Sequence, residues 1–210
     1  MPSPVVIETP HGPARARLHE VKRPVAALVL GHGAGGGVGA GDLVAACDVA
    51  VALRVAVALV EQPYRVAGRR SPAPARQLDV AWLAVIEHLR SGAFPRRLPL
   101  IAGGRSSGAR VACRTAAAAG AAGVLCLAFP LHPPGRGDDP TKSRLGELEA
   151  VTVPVLIVQG DRDPFGMPPG GPGRTVARVP GDHSLRSLGP VRDALAAGLP
   201  VLLAAAGRGS

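Results

Sequence analysis

At 210 residues, 47% of them apolar, the chain suffices for one packed core and is too short for two full-sized domains. Aromatic residues make up only 2%, so Val, Leu and Ala must fill that core and base-stacking recognition of nucleic acid has almost nothing to use. The net charge of +9 therefore does not mark a specific nucleic-acid binder: Lys22 and Lys142 are the only lysines, arginines run from Arg15 to Arg208, and basic charge alone gives non-specific affinity.

Residues 5–8 and 14–19 read as short strands around a Pro-His-Gly-Pro turn, and 1–10 carry no basic-then-apolar leader. The apolar run 25–30 ends at Gly31, the profile of a buried strand. A Gly-rich loop and an Ala-rich helix (42–53) follow, then a strand over 54–60 closed by Glu61-Gln62-Pro63-Tyr64. Asp48 and Arg54 break the apolar run 43–60, so it does not read as a membrane span. A Pro-rich link at 71–74 leads into a helix with Leu78, Trp82, Val85, Ile86 and Leu89 on one face. Next come a strand (98–102), a helix (107–119), a strand (124–129) and a Pro/Gly/Asp-rich loop (130–141). A short helix (145–150), a strand (153–159), a second Gly/Pro loop (164–173), a strand (175–179) and a last helix from about 190 complete the order. Arg192, Asp193, Gly198 and Pro200 argue against a membrane span in that last helix. Cys47, Cys113 and Cys126 are an odd number without CxxC spacing and read as buried free thiols. The alternation predicts one domain over 1–210: an α/β fold with a mainly parallel central sheet and helices on both faces. A soluble, cytoplasmic protein is the expectation. Functional residues of such sheets gather in loops beyond the carboxyl ends of the strands.

Reactive residue types stand where strands end. Gly104-Arg105-Ser106-Ser107-Gly108 follows a strand directly, with G-x-S-x-G spacing, the nucleophile elbow. A serine pushed out on a tight strand-to-helix turn needs neighbours without side chains two residues before and after. Gly104 and Gly108 meet that need for Ser106; Ser107, flanked by Arg105 and Ala109, does not qualify. The helix beginning behind Ser106 turns its positive dipole end toward it, and the Ser107 amide can face a developing oxyanion.

An acid and a histidine should follow in that order. The strand 153–159 leads into Gly160-Asp161-Arg162-Asp163-Pro164, where Asp163 reaches past the strand end and Asp161 is the alternative. Val179-Pro180-Gly181-Asp182-His183-Ser184-Leu185 then places His183 in a loop before the last helix. Of six histidines, His183 has the right order and loop; no pair has metal-ligand spacing, so no metal is expected. Gly31-His32-Gly33-Ala34-Gly35-Gly36 offers a bare backbone whose Ala34 amide can join Ser107 at the oxyanion. The same residues match G-x-G-x-x-G, a rival dinucleotide reading, with Glu61 as its ribose acid. Glycines continuing through Gly41 delay any tight helix start, and that reading leaves Ser106, Asp163 and His183 unexplained. His32, Tyr64, Arg105, Leu131 and His132 are candidates for pocket walls, and Arg105 for attracting an anionic acyl group; the alternatives are plain loop packing for Tyr64, Leu131 and His132 and a solvated helix-start residue for Arg105.

Together these blocks, with Phe129-Pro130-Leu131-His132-Pro133-Pro134 and Asp163-Pro164-Phe165-Gly166, resemble lid-less α/β-hydrolases of the broad dienelactone-hydrolase-like clan. Within it the chain is similar to the group of bacterial, testis-expressed and NSL-complex-subunit relatives. The resemblance implies the α/β-hydrolase fold without a cap domain, the triad Ser106, Asp163 and His183, and no cofactor. Dienelactone hydrolases proper use cysteine as nucleophile, where this chain has Ser106. The expectation is a serine esterase or thioesterase acting on a small-molecule acyl substrate; the other class is a non-catalytic interaction protein on the same fold.

Overall fold

Strand burial follows from composition: β3 (Ala26–Gly31) and β4 (Val55–Glu61) carry apolar or glycine residues on both faces, apart from the terminal Glu61. Such strands are stable only with helices covering each side. The computed structural model describes residues 4–137 and 139–208; part of the leader reading at 1–10 and one residue of the 130–141 loop lie outside them. The remaining strands are β1 (Val5–Ile7), β2 (Ala14–His19), β5 (Leu100–Arg105), β6 (Gly123–Leu127), β7 (Val155–Gly160) and β8 (Arg174–Val179). They form one sheet in the order β1-β2-β4-β3-β5-β6-β7-β8. β2 pairs antiparallel with β1 and β4, and every pair from β4 to β8 is parallel.

Alternate side chains of the strands feed opposite cores. Leu28, Leu30, Val57, Leu59, Ile101, Leu125, Leu127, Leu156 and Val158 pack beneath α1 (Gly41–Ala52) and α6 (Leu188–Ala206). Ala27, Val29, Ala56, Ala58 and Val60 face α3 (Ala75–Ser91), and Trp82 of that helix and Phe94 just beyond it are buried in the same core. Ala102, Val124, Cys126 and Ile157 meet α4 (Ser107–Thr115) and Leu148 of α5 (Leu145–Glu149). All three cysteines are buried and free.

The expected elements are present to within about two residues at their ends, with four differences, the first a single 3-10 turn (Pro140–Lys142) closing the loop after β6. A one-turn helix, α2 (Pro63–Val66), follows β4; its proline stands at the helix start, where a missing N–H costs nothing. The helix expected over 107–119 stops at Thr115. The strand expected to end at Ala102 runs on to Arg105, paired through Gly103 and Gly104 with β6. Glycine signals the end of a strand by propensity, yet at Gly103 any Cβ would press on the Leu125 carbonyl. The extension delivers Arg105 and Ser106 to the carboxyl edge. α6 is long and apolar enough to cross a membrane by length and composition, despite its two charged residues. Here Val191, Leu195, Leu199 and Leu202 bury one face against α1 and the sheet.

Candidate active site

Ser106 sits at the turn between β5 and α4 with φ 52° and ψ −107°. A non-glycine residue in that region costs roughly 1–3 kcal/mol and persists only where its surroundings enforce it. The enforcement is visible on both sides. Side chains at Gly104 or Gly108 would collide with the carbonyl of Gly31 at the end of β3. The Ser106 amide also donates to Leu127 O of β6 at 2.9 Å. Two glycines thus let the elbow close onto the neighbouring strand and hold the serine outward. Ser107 is the first residue of α4, where backbone N–H groups lack intrahelical acceptors.

His183 lies in the loop between β8 and α6. Its Nε2 is 2.9 Å from Ser106 Oγ and its Nδ1 2.8 Å from Asp163 Oδ2. A carboxylate facing Nδ1 requires the proton there, leaving Nε2 to accept from the serine hydroxyl. Asp163 is 1% exposed at its side chain. Its Oδ1 accepts from the Phe165 amide at 2.8 Å, and its Oδ2 accepts from Gln159 Nε2 at 2.8 Å as well as from His183. The Phe165 ring lies 4.1 Å from the imidazole, centroid to centroid. Asp161, the alternative acid, points elsewhere: it accepts from the Gly181 amide at 2.9 Å and ties the two loops together.

The loop after β3 runs beside Ser106. A Cβ at Gly33 would stand 3.6 Å from Ser106 Cβ. His32 was expected at a pocket wall, but it is 2% exposed with both ring nitrogens engaged. Nε2 accepts from the Gln62 amide at 3.1 Å, so Nδ1 carries the proton and donates to Gly33 O at 2.8 Å. The Gly36 amide donates to the same carbonyl. Gly33 O and the Ala34 amide belong to one planar trans peptide, so holding the carbonyl aims the N–H to the opposite side. Tyr64 Oη donates to Ala34 O at 2.9 Å and fixes the next peptide likewise. Tyr64 also borders an open cleft of about 500 Å³ with Arg69, Arg70 and Gln77.

From the sequence Arg105 is either a candidate for attracting an anionic acyl group or a solvated helix-start residue. Instead its Nε donates to Asp42 Oδ2 at 3.0 Å and its Nη2 to His183 O at 3.1 Å. A guanidinium already paired with a buried carboxylate has little charge left to offer an anionic acyl group. Leu131 is half-buried against the α4 side of the core, and the His132 amide donates to Phe165 O. The His132 ring packs on Gly166, where a Cβ would strike it. His132 thereby joins the loop after β6 to the loop after β7, while the Leu131 carbonyl accepts from the Arg144 amide. Gln159, Phe165 and Asp42 are the contributors the sequence reading passed over. Gln159 left one signal, an amide at the end of an otherwise apolar strand and four residues before the acid.

Comparison with known proteins agrees with this architecture. The chain is similar to a lid-less α/β serine hydrolase of Xanthomonas campestris: 22% identity, 94% of this chain and 93% of that one, TM-score 0.72. Est1E of Butyrivibrio proteoclasticus aligns at 16% identity over 96% and 99% of the two chains, with a TM-score of 0.73. Dienelactone hydrolase of Anabaena variabilis aligns at 14% over 93% and 94%, with a TM-score of 0.71. A search of the curated proteins gave no match. The family model described as "Alpha/beta hydrolase domain" matches residues 24–170, well over half of the sequence. The chain belongs to the α/β-hydrolase domain family.

Proposed function

We propose that this protein is a serine hydrolase that cleaves carboxylic esters or thioesters of small acyl substrates. The observation that carries the reading is the continuous hydrogen-bonded row Ser106 Oγ, His183 Nε2 and Nδ1, Asp163 Oδ2. In this mechanism Ser106 Oγ attacks the acyl carbonyl carbon while His183 Nε2 takes the hydroxyl proton. The oxyanion of the tetrahedral intermediate is received by the Ala34 and Ser107 amides. Collapse breaks the bond to the alcohol or thiol, which leaves with the proton from His183. Water, deprotonated by His183, then attacks the acyl-enzyme and releases the acid and Ser106. Asp163 keeps the required tautomer and stabilises the imidazolium.

The dinucleotide alternative meets an obstacle at the start of α1. Asp42, in the first helical turn, already takes up the donors there: its Oδ1 accepts from the Leu43 amide and its Oδ2 from Arg105.

A fluorophosphonate probe tests the proposal, since an activated serine displaces its fluoride and becomes phosphonylated. Wild type is expected to label, Ser106→Ala not at all, and His183→Ala at least about a hundredfold more slowly, the usual contribution of a general base. Folded wild type that fails to label would overturn the catalytic reading and leave a binding module on the same fold.

A further inference from the structure

We infer that Arg105, anchored by Asp42, is a positioning residue that fixes the backbone of the His183 loop to the nucleophile's own strand. The inference rests on the serine-hydrolase reading above. Arg105 stands between the second glycine of β5 and Ser106 and is coupled to the elbow, because β5 pairs with β6 up to Arg105 itself. From there the guanidinium reaches in three directions. It donates to Asp42 at the start of α1, donates to the main-chain carbonyl of His183, and lies over Gly33, where a Cβ would meet Nη1 at 2.7 Å. Elbow, histidine loop and the loop after β3 therefore meet on one planar group.

Burial makes the arrangement specific. The Asp42 side chain is 1% exposed and that of Arg105 19%. Desolvation pushes the Asp42 carboxyl above its ordinary range, while the Arg105 charge and hydrogen bonds from Arg105 and Leu43 oppose it. Asp42 is held in turn by α1, which packs into the core through Leu43, Ala45 and Ala46. The other end of the clamp needs such an anchor. Gly181 of the histidine loop exchanges hydrogen bonds with the Asp161–Arg162 turn, which registers the loop against the acid. Arg105 registers the same loop against the serine. His183 must serve Ser106 in one step and the leaving group in the next, so its backbone has to stay fixed while its ring hydrogen bonds change. A fork with two fixed directions can do this; a lysine ammonium cannot hold both geometries.

The test compares wild type with Arg105→Lys, which keeps the charge beside Asp42, and Asp42→Asn, which keeps the shape and removes the anchor. Turnover of an activated ester, fluorophosphonate labelling and the proton NMR resonance of His183 Nδ1–H are read in all three. The expected result is a kcat about tenfold or more below wild type in both variants, with KM within about twofold, in keeping with the sensitivity of catalysis to small misplacements. The His183 resonance should broaden or vanish, while circular dichroism stays that of wild type. Wild-type kcat and an unchanged resonance in both folded variants would overturn the clamp and leave the hydrolase reading intact. Failure of wild type to label would remove both.

Discussion

A single buried amide shows how much of this site depends on one residue. The Gln159 Nε2 group faces three oxygens, Asp163 Oδ2 at 2.8 Å, Gly166 O at 3.0 Å and Phe129 O at 3.1 Å. Two N–H bonds thus serve three acceptors, one of them shared. Leucine has similar size and no donor. Gln159→Leu should leave the Phe129 and Gly166 carbonyls without a partner and Asp163 Oδ2 with His183 alone, at about 1–3 kcal/mol for each carbonyl left unsatisfied. We expect a loss of roughly 2–4 kcal/mol in urea unfolding, and a kcat lowered about tenfold with little change in KM. Wild-type stability and kcat in this variant would show that the amide neither supports the fold nor steadies Asp163. The thiols are a contrast at the same scale: burial and the nearby Asp48 push Cys47 up to about 11, which keeps it protonated and inert at neutral pH.

At the scale of elements, the loop after β3 is shaped by two groups that follow β4, the Gln62 main-chain amide on His32 Nε2 and the Tyr64 hydroxyl on Ala34 O. Tyr64→Phe removes the bond to Ala34 O and little else, because the ring stays packed among its neighbours. The expected outcome is a stability loss of about 1 kcal/mol and a kcat about threefold to tenfold lower, short of the ~10²-fold cost of losing an oxyanion donor outright. Steady-state kinetics beside thermal unfolding would check both parts, and an unchanged kcat would mean that the Ala34 peptide needs no such support. The same loop shows what could be read in the sequence. The order of elements along the chain, the elbow and the positions of Asp163 and His183 were legible because each depends on local spacing: glycines two residues either side of Ser106, an acid beyond one strand, a histidine beyond the next. The roles of His32, Tyr64 and Arg105 were not. Their partners lie 30 residues away for the first two, and 63 and 78 for Arg105, and no periodicity announces which way a polar side chain at a strand end will turn. Gly103 misled for a related reason, since propensity ended a strand that sheet packing continues.

Across the whole molecule, His32 links the site to the pH dependence of folding. Its ring is neutral by construction: the Gln62 amide occupies Nε2, so a second proton would set donor against donor. Burial lowers its pKa below the ordinary 6.5, with the Gly33 carbonyl and Glu61 opposing and Arg65 assisting. Between the lowered folded value and the ordinary unfolded one, the unfolded chain binds a proton that the native protein does not. Stability therefore rises with pH across that window. The contribution is complete above about 6.5 and is lost as pH falls through the folded value. Asp42 works in the opposite sense at more acidic pH, since its raised pKa favours the protonated native form and that share is lost as pH rises. A comparison between proteins that both retain Asp42 isolates the histidine. His32→Asn keeps a short side-chain donor near Gly33 O and does not titrate. It should lower the urea midpoint at pH 7, because a buried imidazole and its hydrogen bond to Gln62 are gone, and it should flatten the decline between pH 7 and pH 5. Parallel pH curves for the two proteins would mean that His32 is protonated as readily in the native state as in the unfolded chain.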